Sequence, residues 1–288
     1  MAKKHDIIWY DRLDSTNDEA GRRISELDNL SVLSASWQTS GRGQRGNTWI
    51  SAAGENLTFS VVLKYSMKGL PAPPALRQFI LNEIASLSVV GLLARHNIEA
   101  KIKWPNDIYA GDRKICGMLI EHSLMGKLLS HSIVGIGLNV NQTEFDPSLP
   151  NPTSMKVITA QHHEPEALLE EFMDIFEHNL RSYIPHSGDN IDTEAFRKKY
   201  IKHLWRMNET SCFIDHTVLP EGHHNGPMNI VVSSPAPSEH ESYSSFSSAG
   251  RVFTGIIRGL TPFGHIMIED TEKGELKEFA FKEIGYII

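Results

Sequence analysis

Apolar and polar positions along this chain switch between two periods, and each period predicts an element. Ser15-Thr16-Asn17-Asp18-Glu19 sets a capping hydroxyl before an acid three residues on, which predicts a helix running to about Leu27. Ser31–Trp37 and Leu57–Tyr65, apolar and β-branched, read as strands on either side of a Gly/Arg loop. Pro71–Pro74 break the chain. Leu76, Phe79, Ile80, Ile84, Leu87 and Val90 then recur at helical spacing and predict a long helix over Ala75–Arg95. Strands follow at Ala100–Trp104, Arg113–Ser123 and His131–Asn141, the last two forming a hairpin around Met125-Gly126. Residues 142–160, with Pro147, Pro150 and Pro152, read as a loop. Helices are predicted from Pro165 to about Tyr183 and from Thr193 to His203. Residues 216–250 are rich in Gly, Pro, His and Ser and read as a flexible insertion. From Arg251 the period is β again, over Val252–Arg258, Gly264–Glu269 and Glu275–Phe281, with turns at Gly259 and Pro262-Phe263-Gly264; these short strands suit a small barrel.

Length and charge narrow the picture. At roughly 150 residues per domain, 288 residues make one large domain or two unequal ones. With 40% hydrophobic and 22% charged residues, disorder throughout is excluded. The net charge of −7 counts against a nucleic-acid-binding protein, although a local basic patch stays open. Cys116 and Cys212 allow one bridge, but two reduced thiols are the simpler reading, and no zinc-ligand spacing exists. Met1–Asp14 has no signal-peptide core, and the longest uncharged apolar run, Ile84–Ala94, is too short to cross a bilayer. A cytoplasmic protein without membrane partners is the expectation.

Three segments can carry chemistry. Gly41-Arg42-Gly43-Gln44-Arg45-Gly46-Asn47 joins backbone N–H groups free to approach an anion with two forked cations. It is neither a Walker loop nor a dinucleotide fingerprint. Phosphate binding and a solvated turn are about equally supported by the loop alone. Lys103-Trp104-Pro105-Asn106-Asp107, followed by Arg113-Lys114-Ile115-Cys116-Gly117, brings two lysines to a strand pair. They can neutralise a carboxylate or phosphate, and Asp107 can share Mg²⁺ with phosphate oxygens, or the segment is an ordinary hairpin. Gly135-Ile136-Gly137-Leu138-Asn139 puts glycines in a strand, for close approach of a ligand or for packing. Ser15, Thr16 and Asn17 read locally as a helix cap, Gln38 and Thr39 as loop polars, and Trp37, Trp49 and Trp104 as core or pocket wall. The paired histidines, His162-His163 and His223-His224, lack a third ligand, and no Gly-x-Ser-x-Gly elbow exists.

Taken in order, these segments resemble the biotin protein ligases. The likeness runs through Ser15-Thr16-Asn17, the stretch from Gln38 to Gly46, Trp49, Lys103-Trp104-Pro105-Asn106-Asp107, Arg113-Lys114 with Gly117, Gly135 to Asn139, and Thr153-Ser154-Met155. It covers about Ile8 to Thr159 and returns weakly at Gly255–Arg258.

The resemblance implies activation of biotin by MgATP to biotinyl-5′-adenylate, with release of pyrophosphate. Transfer to a lysine of a biotin carboxyl carrier domain of a carboxylase then follows. Ser15, Thr16, Asn17 and Gln38 would meet the biotin head, an uncharged ureido ring suited to neutral donors and acceptors. Arg42, Gly43 and Gln44 would close over the biotin tail and the adenylate phosphate, in a loop that orders when ligand arrives. Lys114 would contact the reacting carboxylate and α-phosphate, with Gly117 beside it. Lys103 would support the phosphates or the transfer end. Arg45, Trp49, Asn106 and Asn139 would belong to the ATP side, and Asp107 would meet metal or the acceptor lysine. No tightly bound prosthetic group is implied.

The implied fold is α+β. A mixed, largely antiparallel sheet flanked by helices, as in class II aminoacyl-tRNA synthetases, spans 1–203. An SH3-like barrel spans 204–288 with the insertion at 216–250, and a homodimer is allowed. Several relatives carry Arg where Gln44 stands, so a fixed charge is missing near the adenylate unless Arg45 replaces it. Only 14 residues precede Ser15, too few for the DNA-binding domain of bifunctional members, so no DNA partner is expected. A lipoate ligase or octanoyltransferase is the nearest rival, but the chain lacks three consecutive glycines. A non-catalytic biotin sensor is the rival from another class.

Overall fold

The computed structural model describes residues 5–65, 70–184, 193–218 and 250–288. The expected flexible insertion falls mostly on 219–249 and lies outside the described residues. Two compact units form, one of Met1–Met207 with Pro262–Gly264, the other of Asn208–Thr261 with His265–Ile288.

The first unit is built on a seven-stranded sheet: β1 (Ile7–Leu13), β2 (Val32–Gln38), β3 (Leu57–Lys64), β4 (Lys101–Lys103), β5 (Asp107–Ala110), β6 (Arg113–Met125) and β7 (Leu128–Leu138). Their order is β1-β2-β3-β7-β6-β5-β4. β1 pairs β2 in parallel, and the other neighbours are antiparallel, so the expected α+β class with a mixed, largely antiparallel sheet is the observed one. The β6–β7 hairpin turns at Gly126, whose φ of 64° suits glycine.

Alternation along β3 sends Phe59 to one face and Ser60 and Val62 to the other. On Phe59's face lie α2 (Ile80–Arg95) and α4 (Pro165–Tyr183). α4 buries Leu168, Leu169, Phe172, Met173, Phe176 and Leu180, and Phe172 meets Phe59 edge-on at 5.0 Å between ring centres. The stretch 75–95 is apolar and long enough to span a membrane, but two-thirds of its 18-residue apolar window is buried inside the fold. It begins as a single 3₁₀ turn at Ala75–Arg77 rather than as continuous helix. On the opposite face, α1 (Thr16–Arg22) packs Ala20 with Leu27, Leu33, Val62 and Ile133.

α1 ends five residues earlier than its periodicity predicts. The backbone leaves helical geometry at Arg23, and turns bonded from Glu26 and Leu27 to Arg23 O carry Leu27 into the same core. The loop predicted at 142–160 contains a short helix, α3 (Met155–Thr159), capped by Ser154. Helix α5 (Thr193–Lys202) closes this unit's element list. The second unit is a five-stranded antiparallel sheet of β8 (Thr210–Asp215), β9 (Arg251–Leu260), β10 (Ile266–Asp270), β11 (Glu275–Phe279) and β12 (Ile284–Tyr286), in the order β11-β10-β9-β8-β12.

One part-buried chain of hydrogen bonds is expected to make stability pH-dependent. His122 Nδ1 lies 2.8 Å from Ser132 Oγ, which lies 2.9 Å from the Tyr65 hydroxyl. Burial pushes the His122 imidazole down to about 4. Between that value and the ordinary one near 6.5 the unfolded chain binds the proton and the folded chain does not, so stability falls as pH drops through this window. A loss on the order of 2 kcal/mol is expected, after allowance for the ring's partial exposure. Urea titrations of the wild type and His122→Gln from pH 7 to pH 4 test this: the variant's curve should be flatter, and parallel curves would contradict it.

Candidate functional site

α1 presents its first residues to the sheet face that also carries Ser60. Ser15 accepts from Asp18 N at 3.4 Å, and Thr16 N donates to Gln38 Oε1 at 2.7 Å. The cap reading of Ser15 is therefore correct locally, and its hydroxyl keeps its own hydrogen to give. Ser60 Oγ lies 2.7 Å from Thr16 Oγ1 and 2.6 Å from Asn17 Oδ1. Asn17 donates to Leu119 O at 3.2 Å and to Glu121 Oε2 at 2.8 Å, so both amide hydrogens serve the protein. Asn17 lies tight against Gly135, where an added Cβ would stand 2.1 Å from Asn17 Oδ1.

The Gly/Arg loop is docked on this face. Trp49 N donates to Gly41 O at 2.8 Å and Gly43 N to Asn47 O at 2.7 Å, around a 3₁₀ turn at Gln44–Gly46. Arg42 forks onto Glu121, with Nη2 at 2.7 Å from Oε1, and also donates to Asp18. Glu121's hydrogen bond, with a smaller one from Asp18, holds the Arg42 guanidinium above its ordinary pKa, against desolvation. Gln44 is half-buried in the turn; the Arg45 side chain lies outside the described residues.

Gly117 and Gly137 are cross-strand partners on β6 and β7. They form a trough that the Trp49 ring fills, since a Cβ at Gly137 would stand 2.4 Å from Trp49 Cε2. Trp49 Nε1 is buried there with no hydrogen-bond acceptor. Lys114 ends the trough. Its Nζ pairs with Asp107 Oδ1 at 2.7 Å and lies 5.9 Å from the Trp49 ring centre.

Behind it, Lys103 Nζ donates to the Tyr109 hydroxyl at 3.1 Å. Burial pushes the Lys103 ammonium down, Asp107 opposes this, and Lys114 and Arg206 add to it. Asn106, buried, donates its amide to Met118 O and accepts from Met118 N through its carbonyl at 3.0 Å, so it ties β5 to β6. Asn139, also buried, donates to Thr153 O at 2.9 Å and fixes the segment before α3 beside β6, where Lys114 bridges Pro152.

One face thus gathers Ser15, Thr16, Asn17, Gln38, Arg42, Trp49, Lys114 and Gly117. Arg42 and Lys114, expected to share one anion, each hold a different local carboxylate: Arg42 holds Glu121 of β6, and Lys114 holds Asp107 of β5. Asn106 and Asn139 act as ties between segments. Glu121, Asp18 and Ser60 are new; alternation on β6, which puts Glu121 on the face of Gly117 and Leu119, is the sequence signal for the first. Asp107 does not fit as an independent metal ligand: Lys114 occupies its carboxylate, and among the described residues no three His, Cys, Asp or Glu side chains converge on a metal position.

Comparison with known proteins gives consistent matches. The model of the biotin/lipoate A/B protein ligase family matches residues 9–139, the part of the chain that holds this face. The biotin–[acetyl-CoA-carboxylase] ligase of Paracoccus denitrificans is 32% identical over 171 residues, 57% of this chain and 67% of that protein. The bifunctional ligase/repressor BirA of Bacillus subtilis is 30% identical over 185 residues, 62% of this chain, and the match spans only 55% of that relative. The solved biotin protein ligase of Aquifex aeolicus, in complex with biotin and ATP, superposes with a TM-score of 0.69 at 25% identity over 98% of both chains.

Proposed function

Because this chain belongs to the biotin protein ligase family, we propose that it activates biotin with MgATP to biotinyl-5′-adenylate and then transfers the biotinyl group to a lysine of a biotin carboxyl carrier domain. The observation that carries this is the order of polarity along one sheet face. Neutral hydrogen-bonding groups at the start of α1 and the end of β2 (Ser15, Thr16, Gln38) come first, then the apolar Trp49 ring seated on Gly117 and Gly137, then the Lys114 ammonium. Biotin has the same order: an uncharged ureido head, an apolar tail and a carboxylate.

In the first step a biotin carboxylate oxygen attacks the α-phosphorus and pyrophosphate leaves. Two anions must come within bonding distance, and Lys114, at the end of the trough, offsets their repulsion and the charge that builds on the phosphoryl oxygens. Asp107 orients Lys114. Mg²⁺ enters as part of the nucleotide substrate, held by phosphate oxygens. In the second step the acceptor amine attacks the acyl carbon, AMP departs and the amine loses a proton. Gln38 keeps an Nε2 donor for the head, since its Oε1 is taken by Thr16 N. A reaction that consumes MgATP suits the cytoplasm.

Incubation with MgATP, labelled biotin and a carrier domain tests the reading; label on the carrier is expected. Biotin binding without labelling would leave a sensor. Labelling by lipoate or octanoate in place of biotin would select the rival transferase.

A further inference from the structure

Strand register runs one row of residues across the site face. Thr58, Gly137, Gly117, Asp107 and Lys103 are successive cross-strand partners from β3 to β4. Trp49 sits on the two glycines, Lys114 pairs with Asp107, and Lys103 ends the row on the edge strand. Residues 203–205 extend that edge: Ile102 N donates to His203 O at 2.7 Å, and Trp205 N donates to Ile102 O at 2.8 Å. The Trp205 ring packs on the Tyr109 ring, 5.1 Å between centres, and Lys103 Nζ lies 5.0 Å from the Tyr109 ring centre.

Arg206 follows. Its φ of 56° is uncommon for a residue with a side chain, and its guanidinium lies 4.0 Å from the Trp205 ring centre. It pairs loosely with the exposed Asp112 at 3.7 Å, beyond hydrogen-bond distance, so its N–H donors remain available. The Arg206 charge reaches Lys103: with Lys114 it adds to the burial that pushes the Lys103 ammonium down. Three cations from three segments thus stand together against Asp107 and Asp112, and a multiply charged anion would relieve their repulsion.

We propose that Arg206 is a phosphate-binding residue that takes the β- and γ-phosphates of MgATP beyond Lys114, and the pyrophosphate they become. The proposal deepens the functional reading and rests on it for the nucleotide. When the biotin carboxylate oxygen bonds to the α-phosphorus, the bond from that phosphorus to the bridging oxygen breaks. Its electron pair leaves on the β-phosphate, where the planar fork of Arg206 offsets the charge.

Calorimetric titration of the full chain with MgATP, Mg-pyrophosphate and AMP tests this without biotin or carrier. Arg206→Gln should weaken MgATP and pyrophosphate binding by roughly tenfold, the loss expected for a charge-assisted contact, at an unchanged melting temperature. AMP, which lacks both outer phosphates, should bind as to the wild type. In adenylation assays the KM for ATP should rise by a similar factor while the KM for biotin stays. Arg206→Lys keeps the charge but not the fork, and should lose about threefold for MgATP alone; it gives the same reading if the first variant does not fold. Wild-type MgATP affinity in folded Arg206→Gln would overturn the proposal, as would an equal loss for AMP. If the wild type binds MgATP but never adenylates biotin, a loss confined to MgATP and pyrophosphate would still support the phosphate role, and the functional reading would fall instead.

Discussion

Lys114→Ala is expected to slow biotin adenylation by roughly 10²–10³-fold, the range found when one preorganised charge stabiliser is removed from an active site. The ammonium is held by Asp107 at 2.7 Å, lies 5.9 Å from the Trp49 ring centre, and reaches over Gly117, where the missing side chain leaves room for it. It costs no reorganisation at the moment of reaction, which is why the effect belongs in kcat. Biotin's head contacts lie at the other end of the face, so its KM should move little. Lys114→Arg keeps the charge but changes its shape, and should recover only part of the rate. Asp107→Asn leaves the ammonium present but less well aimed and should fall between wild type and Lys114→Ala. Single-turnover formation of the adenylate, followed separately from transfer, reads each value. Unchanged adenylate formation in Lys114→Ala would show that this lysine is not the charge stabiliser.

The sequence exposed the elements whose pattern is local. Pro165 starts α4 and its apolar stripe carries it to Tyr183; Met125-Gly126 turns β6 into β7. β1 escaped because it is an edge strand with half-exposed side chains, and its parallel partner β2 is supplied by tertiary structure. β5 escaped because Pro105-Asn106-Asp107 has turn composition, although Lys103 and Asp107 face each other across the hairpin that this turn closes. For the site, motif order located the right segments but not their bonds. The glycines of β7 allowed two readings, and Asn17 and Trp49 lie against them. Asn139 is read from sequence as a nucleotide ligand, yet its amide holds Thr153 O, a contact that depends on where residues 151–154 return to the sheet. Glu121, in a strand of mixed composition, has no motif to mark it.

Gly137→Ala is expected to cost roughly 10²-fold in adenylation through a single methyl group. That methyl would stand 2.4 Å from Trp49 Cε2 and 2.6 Å from Cζ2, inside the contact distance of the ring. The indole cannot simply slide aside. Its backbone N–H is bonded to Gly41 O, and Gly41 itself approaches Trp49 O so closely that a Cβ there would stand 2.6 Å away. Moving the ring therefore moves the base of the Gly/Arg loop, and with it Arg42 and the roof of the trough. A displacement near 1 Å in positioning groups is enough for a loss of this size. The fold itself should survive at a cost of about 1–3 kcal/mol, the usual range for overpacking one methyl. Trp49→Phe, with a smaller ring, makes room in the trough, so the double variant should regain activity relative to Gly137→Ala alone, a non-additivity that neighbouring groups produce. Equal losses in the single and double variants would mean that the ring and the glycine do not share this space during catalysis.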